Sequence, residues 1–259
     1  MRLDSIRTPD DLRQLGPDEL CSLAAEIRER IVETVGRTGG HLGSNLGAVE
    51  LTLALHRVFD SPRDAILWDT GHQTYVHKLL TGRNSEFDGL RQPGEISGYP
   101  SRAESSHDWI ENSHASTVLA YAHGLATADA TRGGSRRVVA VIGDGSMTGG
   151  MAFEGLNNLG HSGLKVTIVL NDNGRSYAPT VGRLSESLIR IRSNPTYIRR
   201  QRRLEDIAES PPSVGELLER NISATKDALL DLLEPHACVA APGRPPHRPL
   251  QGPYLPALA

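Results

Sequence analysis

Aromatic residues are scarce in this chain of 259 residues: 3 Phe, 2 Trp and 6 Tyr amount to 4 %. Ala, Leu, Val and Ile must therefore fill any core, within a hydrophobic content of 38 %. Cysteine is scarcer still. Cys21 and Cys238 form no disulfide framework and fit a reducing compartment. No apolar run reaches the roughly 18 residues of a membrane span, so a cytoplasmic chain with no membrane partner is expected. Charge of one sign is also lacking. Lys and Arg number 28 and Asp and Glu 31, a net −3 that gives no field pointing to nucleic acid. Met1 to Gln14 is charged and lacks the apolar centre of a secretory signal.

What is present is enough for one sizeable α/β domain. Leu20, Leu23, Ala24, Ile27, Ile31 and Val35 recur at spacings of three and four, predicting a helix over 17–35 with Pro17 in its first turn. Glycine-rich 36–47 reads as a loop, 48–59 as a helix, 64–68 as a strand and 72–80 as a helix starting against Gly71. Residues 92–106 read as an irregular excursion. Residues 114–131 read as an Ala-rich helix with Ser113 as its cap. Beyond Gly182 the pattern loosens, with helices expected at 184–192 and 214–233. Seven prolines crowd residues 235–259, and a segment with so little to bury stays disordered. The expected organisation is a core over 1–182, a helical, partly mobile extension over 183–234, and a disordered tail over 235–259.

The chemistry concentrates in one unit. The apolar runs 138–142 and 166–170 read as parallel strands, joined by a helix over 151–159. Parallel strands joined this way end on one edge of the sheet, where open α/β sheets bind ligands. Asp144 follows the first strand and Asn173 the second. A carboxylate and an amide oxygen side by side suit Mg²⁺, which often shares its shell with phosphate oxygens. The same residues also serve as two ordinary capped turns. Likewise, His41 in its glycine-rich loop and His72 after Gly71 suit proton transfer or phosphate contact, although each taken singly also fits a packing role. His77, five residues on from His72, reads as structural. The stretch Arg190, Arg192, Arg199, Arg200, Arg202 and Arg203 is followed by Glu205, Asp206 and Glu209, so a solvated face is expected rather than a nucleic-acid contact.

Four stretches taken together are more specific: Gly40–Gly47, Trp68–Gln73, His77–Gly82 and Gly143–Gly150. They resemble the 1-deoxy-D-xylulose-5-phosphate synthase family, a transketolase-like group dependent on thiamine diphosphate. The resemblance runs from about Leu3 to about Pro235 and covers the diphosphate-binding domain. It implies a three-layer α/β thiamine diphosphate-binding fold, with a mostly parallel sheet and helices on both faces. It also implies a Mg²⁺ site of Asp144, Asn173 and the backbone carbonyl of Arg175. Gly145 and Ser146 would contact the diphosphate, His72, Asn173 and the turn Ser113, His114 and Ala115 would contact the cofactor, and His41 would transfer protons. The turn departs from the usual family form, with serine at 113 and alanine at 115, which bears on its hydrogen bonds rather than its location. The family reaction condenses pyruvate, with decarboxylation, onto glyceraldehyde 3-phosphate to supply isoprenoid and thiamine precursors. Three roles are open: a truncated synthase without turnover of its own, a subunit completed by a separate chain carrying the pyrimidine-binding domain, and a non-catalytic interaction module; association with itself or with a partner chain is expected.

Overall fold

The computed structural model describes residues 3–172. Asn173, Arg175, the extension over 183–234 and the tail over 235–259 lie outside the described residues.

Two short 3-10 turns, Leu3–Ser5 and Pro9–Gln14, precede helix α1, Pro17–Thr38. The Glu19 carboxylate accepts the Gly16 N–H at 2.9 Å, satisfying one orphan donor at the start of α1. The apolar stripe expected from the spacing is the buried face. The helix runs three residues past Val35 and stops at Gly39, whose φ of +76° suits glycine. The expected loop over 36–47 is thus shorter. It ends in a short helix α2, Leu42–Leu46, before α3, Val49–Val58. Arg28 on α1 donates to both carboxylate oxygens of Glu50 on α3, at 2.6 and 2.7 Å.

The sheet has strands β1, Ala65–Trp68, β2, Val138–Gly143, and β3, Val166–Asn171, in the order β1-β2-β3 with both pairings parallel. Between β1 and β2 come α4, Tyr75–Leu80, an irregular stretch, and α5, Val118–Thr131. Helix α6, Gly150–Ser162, links β2 to β3. Helices cover both faces. Ile66, Trp68, Val139, Val141 and Val169 point to one face and meet Leu51, Leu55 and Phe59 of the α3 segment. The alternate residues Leu67, Ala140 and Ile142 point to the other, and α5 packs on the sheet and against α6. Gly155 of α6 meets α5 closely, since a Cβ there would lie 2.7 Å from Leu119 Cβ. A second core joins α1, α3 and α4 through Ile27, Ile31, Leu53, Val76 and Leu79. Burying such a side chain contributes about 1.5–3 kcal/mol, so this layer is a framework for the loops it carries. Among the described residues, no helix is long and apolar enough to cross a membrane.

Two helix starts differ from expectation. Helix α4 begins at Tyr75 rather than at residue 72, because Thr74 turns back to bond the Gly71 carbonyl at 2.7 Å. Helix α5 begins at Val118, and Ser113 is not its cap. The amides of Ser116, Thr117 and Val118 donate instead to the carboxylate of Asp69, at the end of β1. A cap supplied from another strand leaves no local signature.

Candidate functional site

The carboxyl ends of β1 and β2 gather four loops: 39–46, 69–74, 112–117 and 144–149. Asn45 joins the first two. Its side chain is fully buried. Its Nδ2 donates to the carbonyls of His41, at 2.5 Å, and His72, at 2.8 Å, while its Oδ1 accepts the Tyr75 N–H at 2.9 Å. The His41 N–H donates to the Tyr75 hydroxyl at 3.3 Å. Gly40, at φ +143°, leaves that hydroxyl room, since a Cβ would lie 2.6 Å from it.

This clip brings the rings of His41 and His72 edge to face, with centroids 5.4 Å apart. The His41 ring also lies 6.2 Å from that of Tyr99. Burial, reinforced by the Arg91 charge, lowers the His41 pKa. Burial and His41 lower that of His72, against an opposing pull from Asp69. Both imidazoles are therefore neutral at neutral pH and able to accept a proton. The Nδ1 atom of each is buried without a hydrogen-bond partner among the described residues. Buried polar atoms are nearly always paired, so two orphans at one loop cluster fit a polar ligand held there.

The 112–117 turn lies beside this pair. Gly71 fits because a Cβ would lie 2.5 Å from Pro100 Cδ and 3.3 Å from the Asn112 carbonyl. Asn112 Oδ1 accepts the His114 N–H at 2.9 Å, which orders the turn. Ser113, His114 and Ala115 are exposed on the rim.

The fourth loop holds Asp144, Gly145 and Ser146, directly after β2. Gly143 pairs with Asn171, so Asp144 and Asp172 are the next residues on neighbouring parallel strands. That register sets the residues after β2 and β3 side by side at one edge. Asp144 is buried, and Gly145 and Ser146 are half-buried. Among the described residues no cluster of three or more His, Cys, Asp or Glu side chains could hold a metal. The donor set expected for Mg²⁺ is of another kind, one carboxylate, one amide and one carbonyl, and two of these lie beyond residue 172. Hard oxygen donors of that type fit the ion chemically.

His77 is not at this site. It is buried, with Nδ1 2.9 Å from His56 Nε2 and Nε2 2.9 Å from Asp108 Oδ1, in keeping with the structural reading. Sequence reasoning missed Asn45, Asp69 and Asp108. The first two lie within the motifs singled out, but nothing local announces bonds that reach 27 to 49 residues away.

A family model described as 1-deoxy-D-xylulose-5-phosphate synthase matches residues 3–242. The synthase of Frankia casuarinae is 56 % identical over 233 residues, covering 90 % of this chain and 36 % of the relative. That of Mycobacterium leprae is 55 % identical over 234 residues, with the same shares, 90 % and 36 %. Among solved structures, transketolase from Campylobacter jejuni superposes with a TM-score of 0.58 at 18 % identity, covering 76 % of this chain and 36 % of that one. A transketolase mutant from Pichia stipitis gives 0.53 at 19 %, covering 59 % and 27 %. At such identities these two show the fold alone, the transketolase-like α/β architecture. The chain spans about a third of the length of the curated relatives it matches (36 %), and it belongs to the 1-deoxy-D-xylulose-5-phosphate synthase family.

Proposed function

We propose that this chain is the diphosphate-anchoring part of a 1-deoxy-D-xylulose-5-phosphate synthase and holds thiamine diphosphate through Mg²⁺. One observation carries the reading: the paired rings of His41 and His72, each with a buried Nδ1 that lacks a hydrogen-bond partner among the described residues, and the Gly143–Ser146 turn both belong to loops at the carboxyl edge of a parallel sheet. In that reading Asp144, Asn173 and the Arg175 carbonyl hold the metal. Gly145 and Ser146 let backbone amides approach the diphosphate, and His72, with Ser113, His114 and Ala115, borders it. When bound, thiamine diphosphate supplies the carbanion chemistry that joins pyruvate to glyceraldehyde 3-phosphate. His41 is the proton-transfer residue. Its lowered pKa keeps it a free base, and the Asn45 clip fixes where its ring stands. A non-catalytic interaction module is less well supported, since docking alone requires no pair of buried unpaired ring nitrogens.

Calorimetric titration with thiamine diphosphate tests this, with and without Mg²⁺. Binding that requires Mg²⁺ and falls at least about tenfold in Asp144→Ala, the loss of a charged contact worth about 1.5–3 kcal/mol, is the expected result. Binding indifferent to both the ion and Asp144 would remove the reading.

A further inference from the structure

Two of the three non-glycine residues with left-handed backbones among the described residues are Thr70, at φ +60°, and Ser116, at φ +71°. They lie 46 positions apart, yet both bond to the Asp69 carboxylate. The Thr70 hydroxyl donates to Oδ2 at 3.2 Å, and the Ser116 N–H donates to the same oxygen at 2.9 Å. Oδ1 accepts the amides of Thr117, at 2.9 Å, and Val118, at 3.0 Å. Asp69 is almost fully buried, and its own N–H donates to the Val141 carbonyl of β2 at 2.8 Å. Backbone strain of this kind persists only where the surroundings over-determine it, and it clusters where geometry matters.

What the strain accomplishes is visible at Ser116. Its hydroxyl donates to the Ser146 carbonyl at 2.6 Å. Gly149 leaves space for that hydroxyl, since a Cβ there would collide with it. The 112–117 turn is thereby fixed to the loop that carries Asp144, Gly145 and Ser146. The same bonds have a second consequence. The amides of Ser116, Thr117 and Val118, leading into α5, are already satisfied by a carboxylate, which takes up the positive potential that a helix start offers an anion. The start of α5 therefore offers a diphosphate in this site no free amide at Ser116, Thr117 or Val118.

We propose that Asp69 is a positioning residue for the diphosphate loop, acting through the left-handed Ser116 and its hydroxyl on Ser146. This rests on the diphosphate-site reading above. The opposite end of β1 supplies a matched control. Asp64 is equally buried and accepts the Asp60 N–H at 2.9 Å, the Arg137 N–H at 3.1 Å and Arg137 Nε at 2.8 Å. It faces no candidate site residue.

The test measures Kd for inorganic pyrophosphate with Mg²⁺ on the 259-residue chain, at a temperature where each variant is folded by circular dichroism. Asp69→Asn keeps the size of the side chain but halves its accepting capacity, and is expected to weaken binding about tenfold or more. Asp64→Asn is expected to lower the unfolding midpoint while leaving Kd unchanged. Equal weakening in both variants, or no weakening in Asp69→Asn, overturns the positioning role. Should Asp69→Asn not fold, Ser116→Gly decides. Glycine accepts φ +71° without strain, so stability holds while the link to Ser146 is lost, and binding is expected to weaken about threefold or more. An unchanged Kd there overturns the proposal as well. If the unaltered chain binds no pyrophosphate, the diphosphate-site reading itself fails and this inference falls with it. Binding by the unaltered chain with unaffected variants removes the positioning role alone.

Discussion

At the scale of single residues, Asn45 holds the two candidate histidines in one geometry. Asn45→Ala would strand two carbonyls and the Tyr75 amide, and each buried group left unpaired costs about 1–3 kcal/mol. We expect a stability loss of at least about 3 kcal/mol in urea unfolding, and a loss below about 1 kcal/mol would show that the clip matters little. The His pair makes a second prediction. Because the His41 charge opposes protonation of His72, His41→Gln should raise the His72 midpoint in ring-proton NMR titration. A midpoint that stays still or moves down would mean that the rings are not coupled.

At the scale of elements, α4 is tied to the 92–117 excursion by a buried polar network. Lys78 on α4 and Arg83 just after it bond Glu104, and Arg83 makes a bidentate pair with Asp108 at 2.6 and 3.1 Å. Burial alone would raise the Asp108 carboxyl, but the hydrogen bond from His77 and the bidentate pair with the permanently charged Arg83 override it and hold Asp108 far below the usual range. An ionised Asp108 assigns the proton of His77 to Nε2. His77 Nδ1 then accepts from His56 Nε2–H, and both rings are neutral. Removing one member of such a pair typically costs about 3–5 kcal/mol, and that loss is expected for Asp108→Ala in chemical denaturation.

The same elements set an acid response. Burial lowers the pKa of His56 and of His77 in the fold, and lowers that of His107 to about 4. The unfolded chain, with ordinary values near 6.5, takes up protons first as pH falls. Stability is then whole above about pH 6.5 and declines below it, by up to about 1.4 kcal/mol per pH unit for each group. Depression of Asp108 adds a further loss below about pH 4. Urea midpoints at pH 7.5, 6.0 and 5.0 should fall in that order. A flat series would contradict the buried-neutral assignment.

At the scale of the whole molecule, a polypeptide of these 259 residues spans about a third of the relative from Frankia casuarinae, 36 %. Synthase chemistry depends on a site that positions acid–base groups and excludes water. We expect no pyruvate-dependent turnover with glyceraldehyde 3-phosphate from this polypeptide alone, even where thiamine diphosphate binds. Sustained product formation by homogeneous protein would refute that. Tyr121 on α5 and Met151 and Phe153 on α6 are 43 %, 54 % and 47 % exposed. Large exposed apolar side chains favour association, and light scattering is expected to show oligomers at micromolar concentration.

The sequence by itself determined the elements whose signals are local and periodic. These are α1 with its stripe from Leu20 to Val35, the three strands with their apolar runs, α6 between β2 and β3, and hence the edge to which Asp144 belongs. Its motifs also marked His41 and His72, through the resemblance that the stretches Gly40–Gly47 and Trp68–Gln73 bear to the family. Tertiary structure alone decided the rest. It decided that His41 and His72 meet, that α5 starts at Val118 and not beside Ser113, and that His77 turns inward to Asp108. Each of these depends on one polar side chain, Asn45, Asp69 or Asp108, reaching backbone or ring atoms 27 to 49 residues away. A hydrogen bond acts over about 3 Å of space, and only the packed fold converts separation along the chain into that distance.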